Sequence, residues 1–195
     1  RGLGDVYKRQ TLNNSYGSKV FVEEGGFFLN NEMDDFSSKP GHPNFYGLIG
    51  SEANSIQPGK RMLSSMTPSI ILKNNKPSLI VGTPGGSTII TSVLQTILNV
   101  YEFDMSVQEA VNAARFHHQW LPDVIIFEEG IVDKEKDSIL KSKSYYVISL
   151  PIEVDTGGMS ARSSIGAVDA ILIDRDGKVS TGADFRGDDY GEILK

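Results

Sequence analysis

Apolar residues recur along one stretch with the period of a helix: Ile89, Val93 and Ile97 form a row spaced by four, and Ile90, Leu94 and Leu98 form a second row beside it. The two rows are expected to merge into one buried stripe on a helix over 88–100, because a core-facing helix repeats its apolar positions at i, i+3, i+4 and i+7. Just before it lies Gly82-Thr83-Pro84-Gly85-Gly86-Ser87, and before that the apolar run Leu79-Ile80-Val81. This order reads as strand, tight glycine turn, helix. A second helix is predicted over 106–116, opened by a capping box of Ser106 with Glu109 and carrying Val107, Ala110, Val111 and Ala114 on one side. A third, charged surface helix is predicted over 134–143 with Asp133 as N-cap.

The strand pattern is one of hairpins. Short apolar runs at 19–22 and 26–29 flank Glu23-Glu24-Gly25, and 69–72 pairs with 79–82 across Lys73-Asn74-Asn75-Lys76, ending at the glycine turn. Single strands are predicted at 124–127 and 145–150. A last hairpin joins 167–173 to 179–183 through Asp174-Arg175-Asp176-Gly177-Lys178, where Asp-Gly is a strong turn signal. Polar turn formers fill 11–17, Asn30-Asn31-Glu32-Met33-Asp34-Asp35-Phe36 makes an acidic loop, and Thr156-Gly157-Gly158-Met159-Ser160 reads as a linker. The segment 37–60, rich in Gly, Pro, Asn and Ser, is a long irregular loop, and loops of that length in compact domains tend to carry function. No internal repeat is present. Hairpins and paired helices in this order predict an α+β fold, antiparallel sheet layered with helices, and not a doubly wound parallel sheet.

Composition narrows the partners. The 195 residues suffice for one domain with a real core, and no apolar run approaches the ~20 residues of a membrane-spanning helix. A net charge of -6 without a basic cluster argues against nucleic acid and against an anionic membrane surface, which leaves a small ligand. With no cysteine, disulfides, thiolate metal sites and cysteine nucleophiles are excluded.

Candidate chemistry starts at the glycine turn. Two successive glycines ahead of a helix remove every Cβ, so a ligand can approach the backbone while unpaired N–H groups point outward. Such a turn either lets the chain double back or holds an anion or oxyanion. A P-loop would need Lys-Ser or Lys-Thr after the glycines, and a dinucleotide site would need G-x-G-x-x-G spacing; neither is present, so an oxyanion hole is the better functional candidate. Three other groupings stand out: Asn13 with Glu32 and Asp35, the Ser64-Ser65 pair, and Phe116-His117-His118-Gln119-Trp120-Leu121-Pro122-Asp123. Paired acids in a loop are commonly turn formers or caps. Adjacent histidines diverge, and with only His42 elsewhere and no cysteine, His117 and His118 are read as structural and not as metal ligands.

The strings TLNNSYG, LNNEMDDFS, KRMLSSMTPSI, GTPGGS and ARFHHQWLPD, in this order and spacing, closely resemble the small catalytic subunit of gamma-glutamyltransferase (glutathione hydrolase). The resemblance runs from Thr11 to the C-terminus, is most specific between Asn30 and Asp123, and weakens after Pro151. It implies an N-terminal-nucleophile hydrolase with an αββα sandwich, made as a zymogen that cleaves itself autocatalytically into two subunits. It also implies roles. Asn13, Glu32 and Asp35 match positions that hold the substrate α-amino group, and acceptor groups are what an ammonium requires. Ser64 and Ser65 match the hydroxyl pair that bonds the α-carboxylate. Gly85 and Gly86 match the oxyanion donors, and Thr11 matches a threonine that hydrogen-bonds the nucleophile.

The departure is at the front. In the family the nucleophile is the N-terminal threonine of this subunit, whose own α-amine serves as base, and it precedes the segment that begins at Thr11. Here Arg1 to Gln10 (RGLGDVYKRQ) stands in its place and reads as a non-native scar, which leaves 11–195 as the small-subunit region and the chain as given expected to be inactive alone. The activity implied is hydrolysis of glutathione and other γ-glutamyl amides, or transfer of the γ-glutamyl group to amino-acid or peptide acceptors, without metal or organic cofactor. A large subunit from the same precursor is the implied partner, and a periplasmic, secreted or cell-surface location the implied compartment. The alternative is a non-catalytic γ-glutamyl or amino-acid binding protein that has kept the pocket and lost the nucleophile.

Overall fold

The structure, a computed structural model, describes residues 11–14, 16–151 and 165–193. The scar expected at 1–10 and the linker expected at 156–160 lie outside the described residues. The chain divides into two compact units: the first comprises residues up to 45 with Ile49–Ser65, the second Tyr46–Leu48 with residues from 66 onward.

In the first unit β1 (Phe21–Val22) pairs antiparallel with β2 (Phe27–Phe28), as the apolar runs predict. The Gly25 and Gly26 N–H groups both donate to Val22 O, which closes the hairpin. The acidic stretch is a 3-10 helix, Glu32–Asp35, followed by the buried Phe36, and a second 3-10 turn, Glu52–Asn54, interrupts the long irregular segment. Regular structure is sparse here, so backbone polar groups are satisfied largely by side chains and turns.

The second unit holds, in chain order, β3 (Ser69–Lys73), β4 (Lys76–Gly82), α1 (Ile89–Tyr101), α2 (Val107–Asn112), β5 (Phe116–His117), β6 (Ile125–Glu128), α3 (Lys134–Ser142), β7 (Val147–Leu150), β8 (Asp169–Ile173) and β9 (Val179–Gly182). One sheet has the order β3-β4-β8-β9 and is antiparallel throughout. Its first hairpin turns on Asn74 and Asn75 at φ 53° and 61°, the left-handed pair that a two-residue hairpin turn requires and that asparagine tolerates. The other sheet, β5-β6-β7, departs from expectation: β6 and β7 run parallel, joined through α3 as a βαβ unit. Asp133 caps α3 by accepting from Lys136 N–H at 2.8 Å.

The core lies between the four-stranded sheet and α1 and α2, built from Leu79 and Val81 of β4, Ile89, Val93 and Val100 of α1, Val107, Ala110 and Val111 of α2, and Val168 and Ala170 at β8. Each such large aliphatic contributes about 1.5–3 kcal/mol over its exposed state. The expected single stripe on α1 is corrected. Ile89 and Val93 are buried, but Ile90, Leu94 and Leu98 are 66%, 53% and 38% exposed, and the inward face is completed by Ser92 and Thr96 instead. Each step of one residue turns a helix by about 100°, so one sheet cannot cover both rows. Thr96 Oγ1 donates to Ser92 O, and Ser92 Oγ donates to Ile165 O, which lets two polar side chains sit fully buried. The second helix keeps its capping box, Glu109 N–H to Ser106 Oγ and Ser106 N–H to Glu109 Oε2, but stops at Asn112. Ala114 is exposed, and Phe116 and His117 leave as β5.

Candidate active site

Within the first unit, Thr11 Oγ1 accepts from Asn13 N–H at 2.9 Å and holds Asn13 at φ 70°, while Asn13 Nδ2 donates to Asn31 O at 3.3 Å. This fastens the segment of Thr11 and Asn13 to the start of the acidic 3-10 helix. In such a helix side chains at i and i+3 eclipse, so Glu32 and Asp35 stand over one another. Asp35 Oδ2 is buried and meets no donor among the described residues. The Glu32 carboxyl is raised above its ordinary value, by burial first, then by the neighbouring Asp35 charge and by a hydrogen bond that protonated Glu32 can give to Asp35. Two stacked carboxyls, one with an orphaned buried oxygen, make a site for a cation that brings its own N–H donors.

Ser64 and Ser65 lie on irregular backbone of the same unit, Ser64 exposed and Ser65 half-buried. What joins them to the acidic pair was not legible in the sequence: Asn54. Its Nδ2 donates to Asp35 O at 2.7 Å, and its Oδ1 accepts from Leu63 N–H at 3.0 Å, one residue before Ser64. Asn54 O accepts from Ser37 N–H at 2.9 Å as well. An asparagine in a polar loop gives no sequence signal for such a role.

The second unit holds the glycine turn at the end of β4. Gly85 and Gly86 have φ 144° and 58°, and a Cβ on Gly86 would stand 2.5 Å from the Tyr46 ring, so conformation and space both demand glycine. A 3-10 turn, Gly86–Thr88, leads into α1, and Thr88 N–H and Oγ1 both donate to Gly85 O. Neither Gly85 N–H nor Gly86 N–H is taken by a hydrogen bond among the described residues. Thr83 Oγ1 accepts from Ala167 N–H at 2.9 Å, which pins the turn to the chain entering β8. Two open donors at a helix start can receive a developing negative charge.

His117 is buried with both ring nitrogens occupied, Nδ1 with Thr91 Oγ1 at 2.9 Å and Nε2 with Gln119 Oε1 at 2.7 Å. His118 Nε2 lies 2.9 Å from Asp123 Oδ1. These contacts support the structural reading of the pair. Gln119 Nε2 reaches Tyr46 O at 2.7 Å and holds the residue that covers Gly86.

A cluster of four buried charges behind the turn also escaped the sequence reading. Arg186 bonds Glu128 twice, Nε to Oε1 at 2.8 Å and Nη2 to Oε2 at 2.6 Å, and its Nη1 donates to Asp184 Oδ1 at 2.8 Å. Arg115 donates to Asp184 Oδ2 at 2.5 Å, to Val111 O and to Ile165 O. Burial alone would raise the Asp184 carboxyl, but the Arg115 charge and hydrogen bonds from Val168 N–H, Arg115 and Arg186 N–H hold it below the ordinary aspartate value. Burial lowers the Arg115 guanidinium despite Asp184. The one available sequence signal was an acid closing an apolar run, Ile125-Ile126-Phe127-Glu128.

The sequence matches the family model described as gamma-glutamyltranspeptidase over residues 8–194. It is 42% identical over 179 residues to the glutathione hydrolase proenzyme of Escherichia coli (strain K12), covering 92% of this chain and 29% of that protein. It is 44% identical over 194 residues to the glutathione hydrolase proenzyme of Pseudomonas aeruginosa, covering 97% and 32%. The chain thus spans about a third of the length of these relatives. The solved gamma-glutamyltranspeptidase of Pseudomonas nitroreducens in complex with L-DON superposes with a TM-score of 0.82 at 42% identity, covering 97% of this chain and 93% of that one. With the family model matched over residues 8–194 and the fold shared at a TM-score of 0.82, the chain belongs to the gamma-glutamyltranspeptidase family.

Proposed function

We propose that this chain is the small-subunit region of a glutathione hydrolase that transfers the γ-glutamyl group of glutathione and related amides to water, or to an amino acid or peptide. The observation that carries the reading is the buried Oδ2 of Asp35, which meets no donor among the described residues and lies beside Glu32, because an ammonium can donate to both carboxylates at once. In this reading Asn13, Glu32 and Asp35 hold the substrate α-ammonium, and the hydroxyls of Ser64 and Ser65 hold the α-carboxylate. A threonine preceding the segment that begins at Thr11 attacks the γ-carbonyl carbon through Oγ, its α-amine taking the proton, and Thr11 orients it. The oxyanion of the tetrahedral intermediate is stabilised by the Gly85 and Gly86 N–H groups. The C–N bond breaks, the amine leaves with a proton, and an ester to threonine remains until water or an acceptor amine attacks it. A large subunit cut from the same precursor completes the enzyme.

The test is kinetic, on the full-length, self-cleaved protein, with a chromogenic γ-glutamyl anilide and its analogue lacking the α-amino group. Asp35→Ala is expected to lower kcat/KM for the first by roughly ten- to a hundred-fold, the loss of a charge-assisted hydrogen bond worth about 1.5–3 kcal/mol, and to leave the second nearly unchanged. A parental kcat/KM would remove Asp35 from the site. Binding of γ-glutamyl ligands without turnover would favour a non-catalytic binding protein.

A further inference from the structure

The α-ammonium and α-carboxylate of a γ-glutamyl substrate hang on one carbon, so the groups that receive them must keep a fixed separation to within tenths of an ångström. The residues assigned to the two ends, Asp35 and Ser64-Ser65, are far apart in sequence, and the chain between them is mostly irregular. Loops of this kind do not hold such a spacing by themselves. One side chain bridges it. Asn54 Nδ2 donates to Asp35 O at 2.7 Å and Asn54 Oδ1 accepts from Leu63 N–H at 3.0 Å, so a single rigid amide is bonded to the backbone of both recognition segments. The bridge is itself fixed: Ser37 N–H donates to Asn54 O at 2.9 Å, Asn54 N–H donates to Ser51 O at 3.0 Å, and Nδ2 lies 3.5 Å from Ser37 Oγ. Asn54 also ends the 3-10 turn Glu52–Asn54, which sets the direction in which its side chain leaves the backbone.

We propose that Asn54 is a positioning residue for substrate recognition, setting the distance between the ammonium and carboxylate subsites; this rests on the functional reading above. Asn54 touches no substrate. It acts through the Asp35 carbonyl and the Leu63 N–H, so its loss loosens both ends together and leaves the chemistry at the glycine turn intact. Removing the bridge therefore raises KM and lowers selectivity for substrates carrying both groups, while kcat holds.

The measurement uses the full-length, self-cleaved protein with a γ-glutamyl anilide, its analogue without the α-amino group and its analogue without the α-carboxylate. Asn54→Ala is expected to raise KM for the full substrate about ten-fold, the equivalent of two neutral hydrogen bonds, with kcat nearly unchanged and discrimination against both analogues reduced. Asn54→Asp keeps an acceptor for Leu63 N–H but puts an oxygen against Asp35 O, so it should impair discrimination at the amino group and spare the carboxylate. This near-isosteric variant keeps the test decisive if Asn54→Ala fails to fold. In an Asp35→Ala background the Asn54→Ala effect should shrink, which a general loss of stability would not produce. If Asp35→Ala weakens the substrate but both Asn54 variants keep parental KM and discrimination, the positioning role is wrong. If Asp35→Ala itself changes nothing, the underlying functional reading is wrong.

Discussion

A buried carboxylate oxygen with no donor raises the free energy of the folded chain, and among the described residues Asp35 Oδ2 meets none. Strain of this kind persists at sites where a ligand supplies the missing partner, so Asp35 with Glu32 carries the recognition argument. Glu32 makes it testable by pH. Its carboxyl is raised above the ordinary 4.5, by burial and by the Asp35 charge, and the ionised form is the one that attracts an ammonium. Hence kcat/KM for γ-glutamyl substrates should fall as pH drops through that raised value, which belongs to the free protein. Glu32→Gln removes the titrating group, and the acid limb of the profile should move to lower pH. An acid limb that stays in place would assign it to some other group.

At the scale of elements, the glycine turn depends on what lies behind it. The four charges Arg115, Glu128, Asp184 and Arg186 draw together the end of α2, the approach to β5, β6 and the chain after β9, and Arg115 also holds Ile165 O near the residue that Thr83 grips. Breaking one member strands a buried charge. Asp184→Asn should cost about 3–5 kcal/mol, read as a lower urea midpoint at neutral pH. The sign with pH follows from the depressed Asp184 carboxyl: its contribution is complete above the unfolded aspartate value of about 3.9 and is lost as pH falls through that value toward the folded one. The variant should therefore lose stability less steeply in acid than the parent. Much of this architecture was legible from pattern alone. Asn74 and Asn75 marked the hairpin turn, Ser106 and Glu109 the start of α2, Asp133 the start of α3, and Asp-Gly the last hairpin, because caps and tight turns depend on local chemistry. The inward face of α1, the stop at Asn112, the parallel β6 and β7 pair and the charge cluster were not legible. They depend on partners many residues away, as Ser92 and Arg115 do through Ile165. Among the residues proposed for the site, motif strings pointed to Asp35, Ser64 and the glycines, whereas Asn54 became visible only through its hydrogen bonds.

For the whole molecule, the chain divides into two compact units and spans about a third of its relatives' length. Among the described residues, Ile90 and Leu94 of α1 and Ile70 and Leu72 of β3 are exposed apolar side chains. Such faces accord with a region that folds against further chain. The account rests on one chemical event, transfer of the γ-glutamyl group onto a threonine of the small subunit, and that event changes a mass. The full-length, self-cleaved protein is mixed with a γ-glutamyl anilide, quenched in acid within the first turnovers, and its subunits are weighed intact. The account predicts that the small subunit gains the mass of one glutamyl group, placed by fragmentation on its N-terminal threonine, and that the gain is absent with the analogue lacking the α-amino group. Turnover with the small subunit unmodified, or a glutamyl group carried on any other residue, would contradict it.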